Sequence, residues 1–196
     1  MSGVRSAATL RMDARRNVDR IRVAAVEVFR DQGLAVPLEE VAAVANVSKA
    51  TIFNRFGGRT GLIDAVIDDV VAAELRAIID DTRSVPGVRE RIRHYVRAIR
   101  DLQYRLPAVN DVLLQEFPDS EALMALCHVA GAIHDDLVAE GHAAGVLARG
   151  FTAGDLHALT LDNALALKHG DRPSRTDYER RTAFVLAGVC PEAPPA

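Results

Sequence analysis

Polar side chains that could make paired hydrogen bonds are concentrated in residues 44–56, VANVSKATIFNRF. If this stretch is helical, its apolar side chains point one way, and the polar ones that point elsewhere are Lys49, Thr51, Asn54 and Arg55. Amides, hydroxyls and cations on an open helix face are suited to bond base edges and phosphate oxygens. The stretch therefore predicts a surface that recognises a polar, anionic partner.

The charge distribution indicates the same class of partner. The chain has 196 residues and a net charge of −3, yet residues 1–60 contain ten Lys or Arg and six Asp or Glu, which gives +4. The remainder contains fourteen Lys or Arg and twenty-one Asp or Glu, which gives −7. A basic segment on an acidic body is typical of a protein that holds a polyanion at one end.

The six histidines of the chain suggest an alternative to a protein that binds a polyanion. The alternative is a helical enzyme or metal-binding protein with a vestigial helix-turn-helix. These histidines show no pairing at a spacing of three or four residues. The sequence also lacks a Glu-x-x-His motif, a zinc-type cysteine pair and a glycine-rich phosphate loop. We therefore predict a protein that is not an enzyme and has no catalytic residue, metal site or cofactor.

Composition favours a cytoplasmic protein without a membrane partner. Hydrophobic residues make up 49% of the chain, but no apolar run approaches the ~18 residues that a membrane span needs. The first residues lack the apolar stretch of a secretory signal. Cys127 and Cys190 lie far apart in the sequence, as buried thiols in a reducing compartment would.

Hydrophobic periodicity is helical almost throughout and predicts an all-α fold of about nine helices. Start and stop signals place the first helix from Asp13 or Asn17 to Gln32, the second after Pro37, and the third between Ser48 and Gly57. The other helices are predicted at about 59–81, 88–106, 108–116, 118–144, 154–168 and 175–189. The predicted domains are a flexible basic arm (1–15), a DNA-binding domain (16–60), a helical regulatory and dimerisation domain (61–190) and a tail (191–196).

The second and third helices, joined by a tight turn at Asn46, form a predicted helix-turn-helix. The outer face of its second helix fits the major groove of DNA, where asparagine can bond adenine and lysine can bond guanine. The small Ala50 and the methyl group of Thr51 can contact a thymine methyl. Arg55 and Arg59, at the far end, suit phosphates. A helix-turn-helix that only packs within the protein is the alternative reading of the same pattern.

Residues 16–66 resemble the DNA-binding domain of the TetR family of bacterial transcriptional regulators. The matching motifs are Ala24-Ala25 with Phe29, Gly33, Val41-Ala42, the turn Ala45-Asn46-Val47-Ser48 and the recognition segment Ile52-Phe53-Asn54-Arg55-Phe56. The resemblance implies a double-stranded DNA operator as partner. It also implies a DNA-binding surface made of Lys49, Ala50, Thr51, Phe53, Asn54, Arg55 and Arg59.

The sequence departs from the family's pattern at several positions of this domain. Phe53 replaces the usual tyrosine and lacks its phosphate-binding hydroxyl, and Pro37 replaces the usual threonine and lacks a cap. Arg55 stands for the usual histidine and Arg59 for the usual lysine, so both positions carry charge. Asn46 replaces the usual glycine of the turn. These changes could alter affinity and operator choice without altering the fold.

For the rest of the chain the resemblance implies a homodimer on a near-palindromic operator and an unknown small-molecule effector. Repression that the effector relieves is the commoner pattern in the family, and the sequence does not distinguish it from a regulator without a ligand. The family's last two helices pack against a second subunit, which here implies Leu156, Leu159, Asn163, Leu167, Phe184, Ala187 and Gly188. Candidate effector-pocket residues are Tyr95, Gln103, Phe117, Cys127 and His134. Packing within one chain is the alternative for both sets.

Overall fold

The computed structural model describes residues 7–191, with side chains from residue 15 onward. Its first helices are α1 (Ala7–Gln32), α2 (Leu38–Val44) and α3 (Lys49–Phe56). Helix α4 runs through 59–84 as Arg59–Ile67, a π-helical turn at Asp68–Ala72, and Ala73–Ser84. The remaining helices are α5 (Val88–Arg105), α6 (Pro107–Leu113), α7 (Glu121–Ala143), α8 (Ala153–His169) and α9 (Arg175–Val189). The predicted all-α class and the number of helices are confirmed within the described residues.

Side-chain caps explain why several helices begin where they do. The hydroxyls of Ser48, Ser120 and Ser174 each accept a hydrogen bond from a backbone N–H in the first turn of α3, α7 and α9. Thr152 and Asp155 form a reciprocal capping box at the start of α8. Each cap satisfies backbone donors that lack a partner inside the helix.

Four helix boundaries differ from the prediction by three or more residues, and one of them is the end of α4, at Ser84 rather than Asp81. Helix α1 begins at Ala7 rather than at Asp13 or Asn17, so residues 7–15 of the predicted arm are helical, and residues 1–6 lie outside the described residues. Helix α6 ends at Leu113, because Gln115 adopts a left-handed conformation with a φ of 53°. Helix α7 begins at Glu121 rather than at Pro118, because Ser120 supplies the cap.

The sequence does not predict the π-helical turn of α4. Arg30 of α1 donates hydrogen bonds to carbonyl groups of this turn. The Arg30 guanidinium donates to the carbonyl oxygens of Asp69 and Val70, both at 3.2 Å, and pairs with the Glu74 carboxylate. A π-helical turn leaves carbonyl groups outside the regular hydrogen-bond ladder. Arg30 donates to two carbonyl groups of this turn and so joins the middle of α4 to the first helix.

A single hydrophobic cluster extends through the described part of the chain. It includes Phe29 of α1, Val41 of α2, Ile63 of α4, Leu102 of α5 and Leu137 of α7. Helix α1 packs against α2, α4 and α6, and α5 packs against α4, α7 and α8. The helix-turn-helix unit therefore shares its core with the helical body and packs directly against it.

Helix α7 is long and apolar enough to cross a membrane by length and mean hydropathy, although charged residues interrupt it, as the prediction of no long apolar run requires. Its apolar side chains have another partner in this structure. Leu123, Leu126, Ile133 and Leu137 are buried in the hydrophobic cluster. The core helix of a globular protein passes the same hydropathy test, so the segment is weak evidence for a membrane span.

Candidate nucleic-acid interface

A tight turn sets the angle between α2 and α3. Asn46 adopts the left-handed conformation with a φ of 51°, which asparagine accepts more readily than most residues. The Val47 N–H donates to the Ala42 carbonyl at 2.9 Å and closes the end of α2. The Ser48 hydroxyl then accepts from the Thr51 N–H at 3.2 Å and starts α3. The turn is therefore satisfied by its own backbone and needs no ligand to form.

One face of α3 is buried, and that fixes which side chains remain outside. Ile52 is fully buried against α2, and Phe56 packs partly into the core. Of the seven predicted DNA-binding residues, Thr51 and Arg59 are half-buried. The five that are exposed to solvent are Lys49, Ala50, Phe53, Asn54 and Arg55. The structure thus brings six of the seven onto α3 and places Arg59 directly after it.

Asn54 and Arg55 have no side-chain hydrogen bond to any described residue of the chain, although both are charged or polar and exposed. Their donors and acceptors are therefore free for an external partner. The Thr51 hydroxyl is already engaged with the Ser48 hydroxyl at 2.9 Å. Phe53 is half exposed, and its ring lies against Gly58, where an added Cβ would approach the ring to 3.1 Å. The Phe53 position is thus held by the turn between α3 and α4.

Glu39 of α2 is a member of this surface that the sequence analysis missed. The Lys49 ammonium donates to the Glu39 carboxylate at 2.6 Å, and this hydrogen bond is the main cause that lowers the pKa of Glu39. An acidic residue in the first turn of a helix is usually explained by the helix dipole, so no signal set Glu39 apart. Lys49 is therefore paired within the chain, unlike Asn54 and Arg55.

Arg59 differs from the predicted phosphate-binding role in one respect. Its guanidinium donates to the Leu34 carbonyl at 2.6 Å and is half-buried. Burial lowers the pKa of Arg59, opposed by the charges of Glu39 and Asp111. Part of this side chain therefore joins the start of α4 to the loop between α1 and α2, and only the remainder faces solvent.

Two of the predicted pocket residues meet in the core of the body. The Tyr95 hydroxyl lies 2.9 Å from Nε2 of His134, and both side chains are buried. The second ring nitrogen of His134 has no partner among the described residues. Burial, reinforced by the nearby His157, lowers the pKa of His134 to about 4, while Asp135 acts in the opposite direction. His134 is therefore neutral at physiological pH.

Gln103, also predicted for the pocket, belongs to a different polar cluster. Its amide donates to the Thr160 carbonyl at 2.9 Å and accepts from the Asn163 amide at 2.8 Å. Asn163 also donates to the Tyr178 hydroxyl at 2.9 Å, which in turn donates to the Arg100 carbonyl at 2.7 Å. This network satisfies buried polar groups between α5, α8 and α9.

The other two predicted pocket residues pack elsewhere. The Cys127 thiol donates to the Val112 carbonyl at 3.4 Å, and Phe117 packs partly against the hydrophobic cluster. The space beside Tyr95, Ile99 and Leu156 measures only about 10 Å³. Larger spaces of about 330 Å³ and 170 Å³ lie between α5 and α9 and beside Asp111. Within residues 15–191, no group of three His, Cys, Asp or Glu side chains is placed to hold a metal ion.

The predicted dimer residues divide into two groups. Leu156 and Asn163 are buried inside the chain, so the prediction that they face a second subunit is corrected: their partners are in the same chain. Leu159 and Leu167 are half-buried. The exposed members of the set lie on α9 and are Phe184, which is 67% exposed, Ala187 and Gly188. Leu165 of α8, which was not predicted, is 46% exposed.

Comparison with known proteins follows the same division of the chain. The sequence profile described as "Bacterial regulatory proteins, tetR family" matches residues 21–66, which span α1 to α4. The chain is 29% identical to the HTH-type transcriptional activator FasR of Mycolicibacterium smegmatis over 200 residues, which cover 95% of this chain and 88% of that protein. The family profile thus matches residues 21–66, and the relative aligns with nearly the whole chain.

Solved structures share the fold. The TetR transcriptional regulator SCO0520 from Streptomyces coelicolor is 26% identical with a TM-score of 0.53, over 89% of this chain and 99% of that one. AibR, solved in complex with isovaleryl coenzyme A and operator DNA, is 16% identical with a TM-score of 0.70, over 91% of this chain and all of that one. Residues 21–66 thus match the DNA-binding domain of the TetR family of bacterial regulators, and the chain, with its capped helix-turn-helix and open α3 face, is similar along nearly its whole length to transcriptional regulators.

Proposed function

We propose that α3 enters the major groove of a near-palindromic DNA operator. The observation that carries this proposal is the exposure of Asn54 and Arg55, without described partners, beside Lys49 on a helix whose opposite face is buried. Asn54 and Lys49 read base edges, with Ala50 and the methyl of Thr51 close enough to meet a thymine methyl. Sequence choice is thereby assigned to residues 49–54 of the helix.

Phosphate contacts are proposed for the far end of α3. Arg55 is exposed and free to bond a phosphate, which positions the protein on DNA without specifying sequence. Arg59 contributes its solvent-facing donors while it holds the Leu34 carbonyl. Phe53 offers an apolar ring to the sugar-phosphate backbone in place of a hydroxyl. The proposed DNA-binding domain is residues 16–60, and residues 61–190 form the regulatory and dimerisation domain.

We propose that α8 and α9 form the interface of a homodimer. The exposed phenylalanine and small residues of α9, and the exposed Leu165 of α8, are apolar side chains that a second copy would cover. A two-fold dimer would present two α3 helices to half-sites about 34–36 Å apart, or a multiple of that distance. Compared with the sequence prediction, this interface uses Leu165 and omits Leu156 and Asn163.

The proposed effector is a small molecule that binds the helical body and changes the affinity for DNA. Tyr95 and His134 supply polar groups among apolar neighbours, but the space beside them is about 10 Å³. An effector would therefore stabilise a more open arrangement of the body, and its differential affinity for the two states would drive the change. Acyl-coenzyme A thioesters are the first class to test, because the structurally similar AibR was solved with one.

The direction of regulation has two candidates. Repression that the effector relieves is the common pattern that the family resemblance implies. Activation is the second candidate, because the relative from M. smegmatis that aligns with nearly the whole chain is named an activator. A promoter–reporter assay with and without the protein distinguishes the two, because a repressor lowers and an activator raises expression from the same operator.

We propose that the protein acts in the cytoplasm, where its DNA partner is, and that it has no catalytic activity. The polar clusters at Tyr95 and Gln103 support this view, because their buried side chains are hydrogen-bonded to other helices of the core. Substrate turnover by the purified protein would argue against it. Such turnover would favour the alternative function, a helical enzyme.

A salt series of DNA binding tests the proposed function. The purified protein is titrated against DNA from upstream of its own gene and against DNA that it selects from a random library, with scrambled DNA as control. Tight binding of the selected sequence that weakens as salt rises supports the proposal. Arg55→Ala should weaken both specific and scrambled binding, while the matched control Arg83→Ala on the body leaves both unchanged. Equal affinity for selected and scrambled DNA would contradict sequence reading by α3.

A further inference from the structure

A buried carboxylate lies where the DNA-binding head, residues 16–60, meets the body. Asp111 of α6 is 3% exposed, and its Oδ1 pairs with the Lys168 ammonium of α8. Lys168 also contacts the Glu116 carboxylate at 2.5 Å. A carboxylate in such a place would be strongly destabilised without a cation and hydrogen bonds. The Asp111–Lys168 pair therefore holds α6 and α8 in one relative position.

The other carboxylate oxygen of Asp111 contacts the head. Oδ2 accepts from the Leu34 N–H at 2.5 Å, in the loop between α1 and α2. Gly33 precedes this contact with a φ of +92°, and a Cβ there would lie 2.7 Å from Oδ2. Glycine is thus required both for the backbone conformation and for the close approach of the carboxylate. The loop that leads into the helix-turn-helix is shaped around Asp111.

The contacts continue from this loop to the recognition helix. The Leu34 carbonyl accepts from the Arg59 guanidinium at 2.6 Å. Arg59 is the first residue of α4 and follows α3 after only two glycines. An unbroken series of polar contacts therefore runs from Lys168 through Asp111 and Leu34 to Arg59. It connects a helix of the regulatory body to the end of the helix that faces DNA.

From this series we propose that Asp111, paired with Lys168, is a positioning residue for DNA reading: it sets the angle at which the body carries the head. The inference rests on the proposed DNA binding by α3. Buried ion pairs add little net stability compared with apolar packing, but they have a narrow range of good geometry. A pair at the junction of head and body therefore favours one arrangement of the two over neighbouring arrangements.

A space of about 170 Å³ beside the pair supports this role. It is bounded by Gln32 of the head and by Tyr104, Asn110, Asp111 and Lys168 of the body. Close-packed interfaces resist sliding, whereas a gap at an interface leaves room for one side to move against the other. At this point the directional contacts of Asp111 therefore act together with the apolar packing of Leu34 to fix the head.

The test compares three variants on DNA that the wild-type protein selects from a random library and on scrambled DNA. Asp111→Asn keeps the shape and an acceptor for Leu34 but removes the charge that Lys168 requires. Selected-DNA affinity should fall about tenfold, a typical coupling between distant sites, while scrambled-DNA affinity stays within about twofold. Lys168→Arg, which retains the charge, should restore most of the affinity that Lys168→Gln loses.

The control is Glu140→Gln, the same change of carboxylate to amide in the Arg91–Glu140 pair between α5 and α7. This pair does not touch the head, so selected-DNA affinity should equal that of the wild type. If Asp111→Asn does not fold, judged by circular dichroism, Lys168→Gln carries the test. Selected-DNA affinity that is unchanged or higher in the folded variants overturns the inference. A wild-type protein that selects no sequence instead overturns the proposed function, before any variant is made.

Discussion

At the scale of single residues, the candidate surface holds both free and engaged side chains. Asn54 and Arg55 have no described partner, whereas Lys49 is bonded to Glu39 at 2.6 Å. A free side chain gains a full set of interactions when DNA arrives, and an engaged one gains only the difference between two partners. Asn54 should therefore contribute more to sequence choice than Lys49 does.

Replacing Asn54 tests this ranking. Asn54→Ala should weaken binding to the selected operator by ~1–3 kcal/mol and relax the preference at one base pair, because a bidentate amide contact is lost. Lys49→Ala should cost less. Fluorescence anisotropy on operators with single base changes measures both effects. If Asn54, Lys49 and Thr51 can all be alanine with an unchanged sequence preference, α3 is not the recognition helix.

Glu39 should limit the affinity for DNA in general. Glu39→Gln removes a negative charge beside the proposed DNA-binding surface and frees Lys49, so the protein should bind both scrambled and selected DNA more tightly at low salt. The gain should shrink as salt rises, because the affected charges are exposed. Weaker binding of Glu39→Gln would instead mean that Glu39 orients Lys49 for its base contact.

His134 should make the folded protein sensitive to acid. Its pKa is lowered to about 4 in the fold, against about 6.5 in the unfolded chain. The unfolded state therefore binds more protons between these values, and the free energy of unfolding decreases as the pH falls from about 6.5 towards 4. The loss between pH 7.5 and pH 5 should be on the order of 2 kcal/mol.

Urea unfolding at the two pH values measures this loss. His134→Gln keeps a polar partner for the Tyr95 hydroxyl and cannot be protonated, so its stability should change less between pH 7.5 and pH 5 than that of the wild type. The exposed His128 on the same helix provides the matched control, since His128→Gln should leave the pH dependence unchanged. Identical pH profiles for all three proteins would contradict the assignment to His134.

At the scale of helices, the junction of α3 and α4 has no room for additional side-chain atoms. A Cβ on Gly61 would lie 1.8 Å from the Phe56 carbonyl oxygen, a backbone atom that cannot rotate away. Gly57 and Gly58 both have positive φ angles of 75° and 109°. Three glycines in five residues thus allow α4 to pack directly over the end of α3.

Gly61→Ala should consequently disturb the orientation of α3 and destabilise the fold by at least about 2 kcal/mol, because overpacking against backbone forces a shift. Thermal unfolding by circular dichroism measures the loss, and operator affinity should fall with it. Gly131→Ala provides the matched control, since a Cβ at that helical glycine meets nothing within 4 Å. A Gly61→Ala protein with wild-type stability would show that α4 can move away without cost.

The helices themselves were largely predictable, because periodicity and local caps act within a few residues of sequence. Ser48 and Asn46 were recognised as cap and turn for that reason. The π-helical turn at Asp68–Ala72 was not, since it depends on Arg30 from a distant helix. The intrachain role of Asn163 in α8 was not predictable either, because its partners Gln103 and Tyr178 belong to two other helices. Partners that are distant in sequence leave no local signal.

At the scale of the whole molecule, the exposed apolar side chains on α8 and α9 need an explanation. Phe184 and Leu165 are exposed in the isolated chain although both are large and apolar. A second copy of the chain would bury them, and the proposed operator with two half-sites requires two heads. The same interface would thus serve stability and DNA reading, because it fixes the distance between the two α3 helices.

Phe184→Asp should therefore convert the protein to a monomer, with dimerisation weakened by roughly 2 kcal/mol or more, as expected for an aromatic side chain at the centre of an interface. Analytical ultracentrifugation over a concentration series measures the change. The monomer holds one head rather than two, so its operator affinity and its salt slope should both decrease. Phe184→Leu is the control that keeps an apolar side chain and should remain dimeric. A Phe184→Asp protein that sediments like the wild type would place the subunit contact on another surface and leave the exposed face of α9 unexplained.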